Sequence, residues 1–332
     1  MAPHSPVRAP APATALRRAL LGWYDRNRRV LPWRAAPGER ADPYAVWISE
    51  IMLQQTRVTA AIPYYQRFLH RFPDAAALGA AAEAEVLAAW SGLGYYRRAR
   101  QLHQAAQQIV ALHRGVFPLD PEAARALPGI GAYTAGAILS IAGNLRLPAV
   151  DGNVVRIAER LCGCDLTLHR VRELAAAWLA PRRPGDFNQA LMDLGATVCT
   201  PRQPACGSCP LRSWCASREA ARPSRQRPAA IRVELHYTLA RRGDKVFLRQ
   251  RPADAAQMAG MWELPEAQAA PRGESLGVFR HAITTRAIRA HVYAGAARGA
   301  GRWMDPAETG EQPLTGLSRK ILHRLLAWPL RN

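Results

Sequence analysis

The sequence predicts a mainly α-helical domain followed by a smaller α+β domain. Three observations predict it. From about residue 14 to residue 217, Ala, Leu and Arg dominate, and apolar residues recur at the three- and four-residue spacing of a helix. Residues 217–230 (SREAARPSRQRPAA) are polar, basic and Pro-bearing, which is linker composition. Beyond them the texture turns strand-like, beginning with RVELHYTL at residues 232–239. A length of 332 residues also favours two domains over one.

Taken in order, residues 1–13 read as a flexible Pro/Ala tail. They hold no uninterrupted apolar stretch of the kind a secretory signal needs. No apolar run anywhere approaches the ~20 residues that span a bilayer. Asp120-Pro121 reads as an N-cap followed by Pro at the first helical position, opening a short helix PEAARAL. Past the linker, residues 232–239 and 246–248 flank Arg-Arg-Gly-Asp, a turn signal, and read as a hairpin. Residues 278–293 carry more strand-like material, and residues 317–326 (LSRKILHRLL) read as a closing amphipathic helix.

Composition narrows the function classes. The apolar share is 49% and the charged share 21%, which excludes a wholly disordered chain. Lys and Arg number 45 against 25 Asp and Glu, a formal charge of +20. Such an excess points to a polyanion, foremost nucleic acid, with a membrane surface as the other attractor. Lys245 and Lys320 are the only lysines. A genome biased toward Arg codons explains that preference but not the scarcity of Asp and Glu.

Four of the six cysteines, Cys199, Cys206, Cys209 and Cys215, are spaced C-x6-C-x2-C-x5-C. A C-x2-C pair presents two thiolates from one tight loop, and Pro201, Pro204, Gly207 and Pro210 favour loops over helix. Four thiolates suit a 4Fe–4S cluster or zinc. Zinc sites more often show two C-x2-C knuckles set far apart, so this single compact run points to the cluster. A disulfide framework is disfavoured where no secretory signal is read. Cys162 and Cys164 stand apart and read as ordinary thiols.

Residues 127–139 read LPGIGAYTAGAIL, a turn between two helices. Gly129 and Gly131 permit a tight turn and close backbone approach, and the helix that follows offers free N–H groups to one phosphate. This has the form of a helix–hairpin–helix.

Further motifs stand in order with these. They are WYDRNRRVLPWR (residues 23–34), PYAVWISEIMLQQTRV (43–58), WSGLGYYRRARQLHQAA (90–106), DGNVVR (151–156) and FNQALMDLGATVC (187–199). Together they cover nearly all of residues 20–216, and the chain resembles adenine DNA glycosylases of the MutY type, in the endonuclease III superfamily. The resemblance implies a helix–hairpin–helix glycosylase core at residues 14–216, a six-helix barrel plus a cluster domain with its loop at 199–215. A linker at 217–231 and a Nudix-like recognition domain at 232–332 follow. It implies a 4Fe–4S cofactor, duplex DNA with A:8-oxoguanine or A:G mispairs as partner, a monomer, and the bacterial cytosol and nucleoid as location.

The resemblance also assigns roles. Glu50 protonates the adenine and then helps activate water, Asp151 stabilises the sugar cation, and Tyr133 and Asn153 support them. Elementary chemistry agrees in type, since cleaving a glycosidic bond needs a leaving-group acid and a stabiliser of oxocarbenium charge. Glu50 sits among Trp47, Ile48 and Ile51, where desolvation raises a carboxyl pKa. Asp151 precedes a helix and also reads as its N-cap. Lyase-active relatives carry an amine-bearing Lys where this chain has Tyr133, and no Lys precedes Lys245, so base removal without efficient strand cleavage is expected.

By the same resemblance Trp33, Arg34 and Gln189 border the adenine pocket. Gln55, Thr56, Leu93 and Tyr95 approach the opposite base or fill the gap, while Gly129 and Gly131 grip a phosphate. Residues 246–267 resemble the start of a Nudix-like domain. Glu274 is the lone Glu soon after Glu266, without the Glu run that holds Mg²⁺, so recognition rather than nucleotide hydrolysis is expected. Relatives place a Phe-Ser-His-like segment against the oxidised guanine. Here Ile283-Thr284-Thr285 stands there, leaving Thr284 as a hydroxyl contact, with His281 ahead of the segment. The rival readings are an endonuclease III-like pyrimidine glycosylase and lyase, a DNA-binding scaffold that keeps the cluster without catalysis, and a charge-driven RNA binder.

Overall fold

The computed structural model describes residues 12–36, 39–217, 230–255, 257–283, 285–305, 308 and 312–327. The expected tail at residues 1–13 and linker at 217–231 therefore fall largely outside the described residues. The helices run in chain order α1 (Ala13–Asn27), α2 (Pro43–Leu53), α3 (Val58–Arg71), α4 (Ala75–Ala80), α5 (Glu83–Trp90), α6 (Arg97–His113), α7 (Pro121–Ala126), α8 (Ala132–Ile141), α9 (Gly152–Cys162), α10 (Leu168–Trp178) and α11 (Pro184–Thr197). Strands follow as β1 (Ile231–Leu239), β2 (Arg241–Arg242), β3 (Lys245–Gln250), β4 (Trp262–Glu263), β5 (Glu266–Ala267), β6 (Ser275–Ile283), β7 (Arg286–Ala294) and β8 (Arg302–Met304), then helix α12 (Gly316–Leu326).

The chain divides into two compact units, one from residues 1–55 and 108–226, the other from residues 56–107 and 227–332. The first unit is helical. Leu16, Leu20 and Trp23 of α1 bury against Trp178 of α10 and Phe187, Leu191 and Leu194 of α11. Helix starts follow local chemistry: Asp42 accepts from the Tyr44 and Ala45 amides ahead of Pro43, and Asp120 accepts from the Glu122 and Ala123 amides ahead of Pro121. Helix α9 stops at Gly163, whose φ of 75° is the left-handed cap that glycine adopts without strain. Helix α11 lies so close to the start of α9 that a Cβ on Gly195 would stand 2.5 Å from Asn153.

The second unit combines α3, α4, α5 and most of α6 with all eight strands and α12. One sheet has the order β5-β1-β7-β6, with β1 and β7 parallel and the other pairs antiparallel. The other runs β2-β3-β4, with β8 also on β3. Tyr237, Phe279, Ala290 and Val292 of the first sheet bury with Val246, Leu248 and Met304 of the second and Ile321 and Leu322 of α12. The alternation of core and outward residues along β7 is the period of two expected of a half-buried strand.

The hairpin expected from residues 232–239 and 246–248 is corrected. The turn at Gly243-Asp244 exists, but it joins β2 to β3. Strand β1 pairs with β7 from Ile231↔Arg286 to Leu239↔Ala294 and belongs to the other sheet. The chain switches sheets at Ala240, a non-local choice that turn chemistry does not encode.

Candidate active site

The centre of the first unit is built around helix α2. Its sequence is apolar on nearly every face, so the helix is buried all round and carries Glu50 in with it. Glu50 is only 5% exposed. Burial pushes its carboxyl from the usual 4.5 up to about 7, and the neighbouring Asp151 charge pushes the same way. A hydrogen bond from the Tyr133 hydroxyl and the Arg34 charge pull against that rise. Tyr133, in the first turn of α8, is itself held well above its ordinary value by burial, with Glu50 and Asp151 adding to the effect. A carboxyl poised near neutrality beside an ionisable partner is the signature of acid–base chemistry.

Asp151 caps α9, as its sequence position suggested. Its Oδ1 accepts from the Asn153 and Val154 amides, both at 2.9 Å, and its Oδ2 accepts from Asn153 Nδ2 at 2.7 Å. Asn153 Oδ1 in turn accepts from Arg156 Nη2 at 2.8 Å, and Arg156 also donates to the Gly195 and Cys199 carbonyls. The structure therefore brings Glu50, Tyr133, Asp151 and Asn153 into one site. It fixes both oxygens of Asp151 and so aims its charge.

Arg34 and Gln189 line one cavity with Tyr24, while Trp33 is buried and does not line it. Arg34 is clamped from behind by Asp193: Nη1 to Oδ2 is 2.7 Å and Nη2 to Oδ1 is 2.9 Å. Arg29 Nε donates to the same carboxylate at 2.7 Å. Asp193 is fully buried, yet its carboxyl lies below the ordinary range; burial works upward and the Arg34 bonds and charge, helped by Arg29, overcome it. Sequence reasoning missed Asp193. Its one visible signal was a carboxylate inside the apolar run ALMDLGA.

The four cysteines at 199, 206, 209 and 215 line one cavity with Arg160, Val198, Pro204 and Arg212. Two short 3-10 turns, Cys206–Ser208 and Arg212–Trp214, give the loop its shape, and none of the four thiols is in a disulfide. Arg160, itself buried, donates to Cys199 Sγ at 3.1 Å and to the Thr200 and Pro201 carbonyls. Among the described residues no three His, Cys, Asp or Glu groups gather closely enough for a single ion. Four thiols spread around one cavity, with a cationic donor at one sulfur, fit a polynuclear iron–sulfur cluster, which is tuned by hydrogen bonds to its sulfurs. Burial pushes the Cys209 thiol up to about 11 in the protein without its metal. Cys162, the last residue of α9, is buried, and Cys164 is half-buried against the same core.

The helix–hairpin–helix forms as expected. Gly129 takes φ 79° in the turn between α7 and α8, where any Cβ would be strained. Gly131 caps α8, no side chain closes that end, and the space around Gly131 is open. Gln55 is exposed with φ 59°. In the second unit Thr56 is half-buried, Leu93 buried and Tyr95 exposed. Thr284 lies outside the described residues. Its neighbour Thr285 accepts the Ile231 amide at 2.7 Å, and His281 is half-buried beside Gly316.

Comparison with known proteins gives this geometry a lineage. Residues 48–181 match the HhH-GPD superfamily base excision DNA repair protein family, and residues 199–215 match the iron–sulfur binding domain of endonuclease III. An adenine DNA glycosylase of Mycolicibacterium smegmatis is 46% identical over 209 residues, spanning 62% of this chain and 70% of that protein. The chain belongs to the adenine DNA glycosylase family. Its 199–215 segment is the family's cluster-binding segment, and its cofactor is a 4Fe–4S cluster. Adenine DNA glycosylases of Rattus norvegicus and Arabidopsis thaliana are 47% and 38% identical, over 62% and 83% of this chain. The chain spans about half the length or less of those two, 42% and 51%. A solved thermostable thymine-DNA glycosylase aligns over 62% of this chain and 96% of its own, with TM-score 0.58 and 29% identity. An endonuclease III–DNA covalent intermediate, 20% identical with TM-score 0.52, shares the fold.

Proposed function

We propose that this protein is a base-excision repair enzyme that hydrolyses the N-glycosidic bond of adenine mispaired with 8-oxoguanine or guanine in duplex DNA, without efficient strand cleavage. The observation that carries the reading is the buried Glu50, pushed up to about 7, bonded to Tyr133 and facing Asp151. Membership of the adenine DNA glycosylase family supports the choice of base.

The chemistry follows from that arrangement. Protonated Glu50 gives its proton to a ring nitrogen of the extruded adenine, which makes the base a good leaving group. The C1′–N bond breaks, its electron pair leaves with adenine, and positive charge develops on the sugar. Asp151, its oxygens held by α9 and Asn153, lies where it offsets that charge. Ionised Glu50 then takes a proton from water as the hydroxyl adds to C1′, leaving free adenine and an abasic site. Tyr133 has no amine with which to form a Schiff base, so the strand stays intact.

The cluster, held by Cys199, Cys206, Cys209 and Cys215, anchors the loop that follows α11. Arg34 and Gln189 border the adenine pocket, and Trp33, buried next to Arg34 in the chain, is assigned to it with them. Gln55, Thr56, Leu93 and Tyr95 face the opposite base, the turn at Gly129 and Gly131 holds a backbone phosphate, and Thr284 is the candidate hydroxyl contact to the oxidised guanine. Residues 14–216 form the glycosylase core and 232–332 the Nudix-like recognition domain, a monomer acting on nucleoid DNA in the bacterial cytosol. None of the helices of the described residues is long and apolar enough to cross a membrane.

The test is single-turnover adenine release from one duplex carrying 8-oxoguanine or guanine opposite the adenine, with nicks read before and after alkali. Faster release opposite 8-oxoguanine, with nicks only after alkali, is expected. No release from either duplex overturns the reading, and nicking without alkali overturns the intact-strand part.

A further inference from the structure

One buried cation gathers three of the four residues proposed to face the opposite base. Arg98, in the first turn of α6, is 8% exposed. Its Nη2 donates to Thr56 Oγ1 at 3.3 Å, to the Gly94 carbonyl at 3.2 Å and to the Leu93 carbonyl at 3.5 Å. Its guanidinium also lies over two rings, 5.3 Å from the Trp90 centroid and 5.4 Å from that of Tyr95. Burial depresses its pKa only to about 10, so it stays charged at neutral pH.

The segment it holds turns sharply and is strained at Tyr95. Gly92, Gly94 and Tyr95 have φ of 111°, 72° and 51°. Tyr95 is a bulky residue in the left-handed region and still 42% exposed. Strain of this kind persists only where surroundings over-determine it. The far side of the same segment is also fastened: Ser91 Oγ and the Tyr96 hydroxyl both donate to the Leu314 carbonyl, at 2.9 and 3.2 Å. The exposed aromatic is thus presented on a backbone pinned from two sides.

We propose that Arg98 is a positioning residue that sets the opposite-base contacts Thr56, Leu93 and Tyr95 as one rigid element. This rests on the proposed function of those three residues. A planar guanidinium suits the task because it donates to several acceptors while its faces stack on rings. Lysine keeps the charge but loses the fork, so Arg98→Lys separates the two contributions.

The experiment uses the full-length protein, with Arg98→Lys and, as a milder second variant, Thr56→Val. Amide hydrogen exchange across residues 91–96 is measured together with single-turnover adenine release from the 8-oxoguanine:adenine duplex. The expected result for Arg98→Lys is exchange at least tenfold faster in that segment, unchanged exchange in α2 and α8, and release slowed roughly 10- to 100-fold, the scale of a small misplacement of a binding element. Thr56→Val shows the same pattern, smaller. If Arg98→Lys fails to fold, Thr56→Val decides. Unchanged exchange in residues 91–96, or release within twofold of the parent while that exchange rises, overturns the inference. A parent that releases no adenine overturns the proposed function, and the exchange result then decides separately whether Arg98 sets the segment.

Discussion

Replacing Glu50 by Gln should make this protein more stable, and increasingly so as the pH rises. The folded carboxyl titrates near 7 rather than 4.5 because ionising it inside the helical unit costs solvation that Tyr133 and Arg34 only partly restore. At roughly 1.4 kcal/mol per unit, that displacement is a folding penalty of roughly 3 kcal/mol once Glu50 is ionised. The sign follows from linkage. Below the unfolded value both states are protonated and no penalty exists; it grows as pH rises and is complete above the folded value. Gln has the same shape, accepts the Tyr133 hydroxyl and never ionises. Linkage puts the advantage of Glu50→Gln at about 1–2 kcal/mol at about pH 5.5 and about 3 kcal/mol at about pH 8.5. Thermal unfolding of both proteins across that range reads it, since each kcal/mol moves the midpoint by about 2–4 °C in a body of this size. A difference that stays flat with pH, or shrinks as pH rises, would refute the buried-acid account. Adenine release should be lost in the same variant at every pH.

Two further outcomes test neighbouring parts. Asp193→Asn leaves the buried Arg34 charge without its clamp and should cost about 3–5 kcal/mol in denaturant unfolding, whereas Asp193→Asn with Arg34→Met should recover much of it; a double variant no better than the single one would sink the clamp. Cys209→Ser should lower bound iron and sulfide per chain and the melting temperature together, while Cys162→Ser leaves the iron unchanged; equal loss in both would contradict the ligand assignment.

Much of this protein was legible in one dimension because the relevant physics is local. Asp120-Pro121 starts a helix through its own side chain and ring geometry. Four thiols within seventeen residues announce an iron–sulfur loop, since the loop that carries them is short enough to close by itself. Glu50 could be read as buried because the residues on every face of its helix are apolar. What the sequence did not carry is pairing between distant segments. Asp193 meets Arg34 across 159 positions, Ser91 meets Leu314 across 223, and β1 chooses β7 over the nearer β3. No local propensity records such choices; they arise only when the cores close and buried charges must find partners. The residue types at the site were set by sequence alone. The value near 7 at Glu50, the clamp on Arg34 and the pinned turn around Arg98 were decided by tertiary structure, because burial and the direction of neighbouring charges exist only in the folded chain.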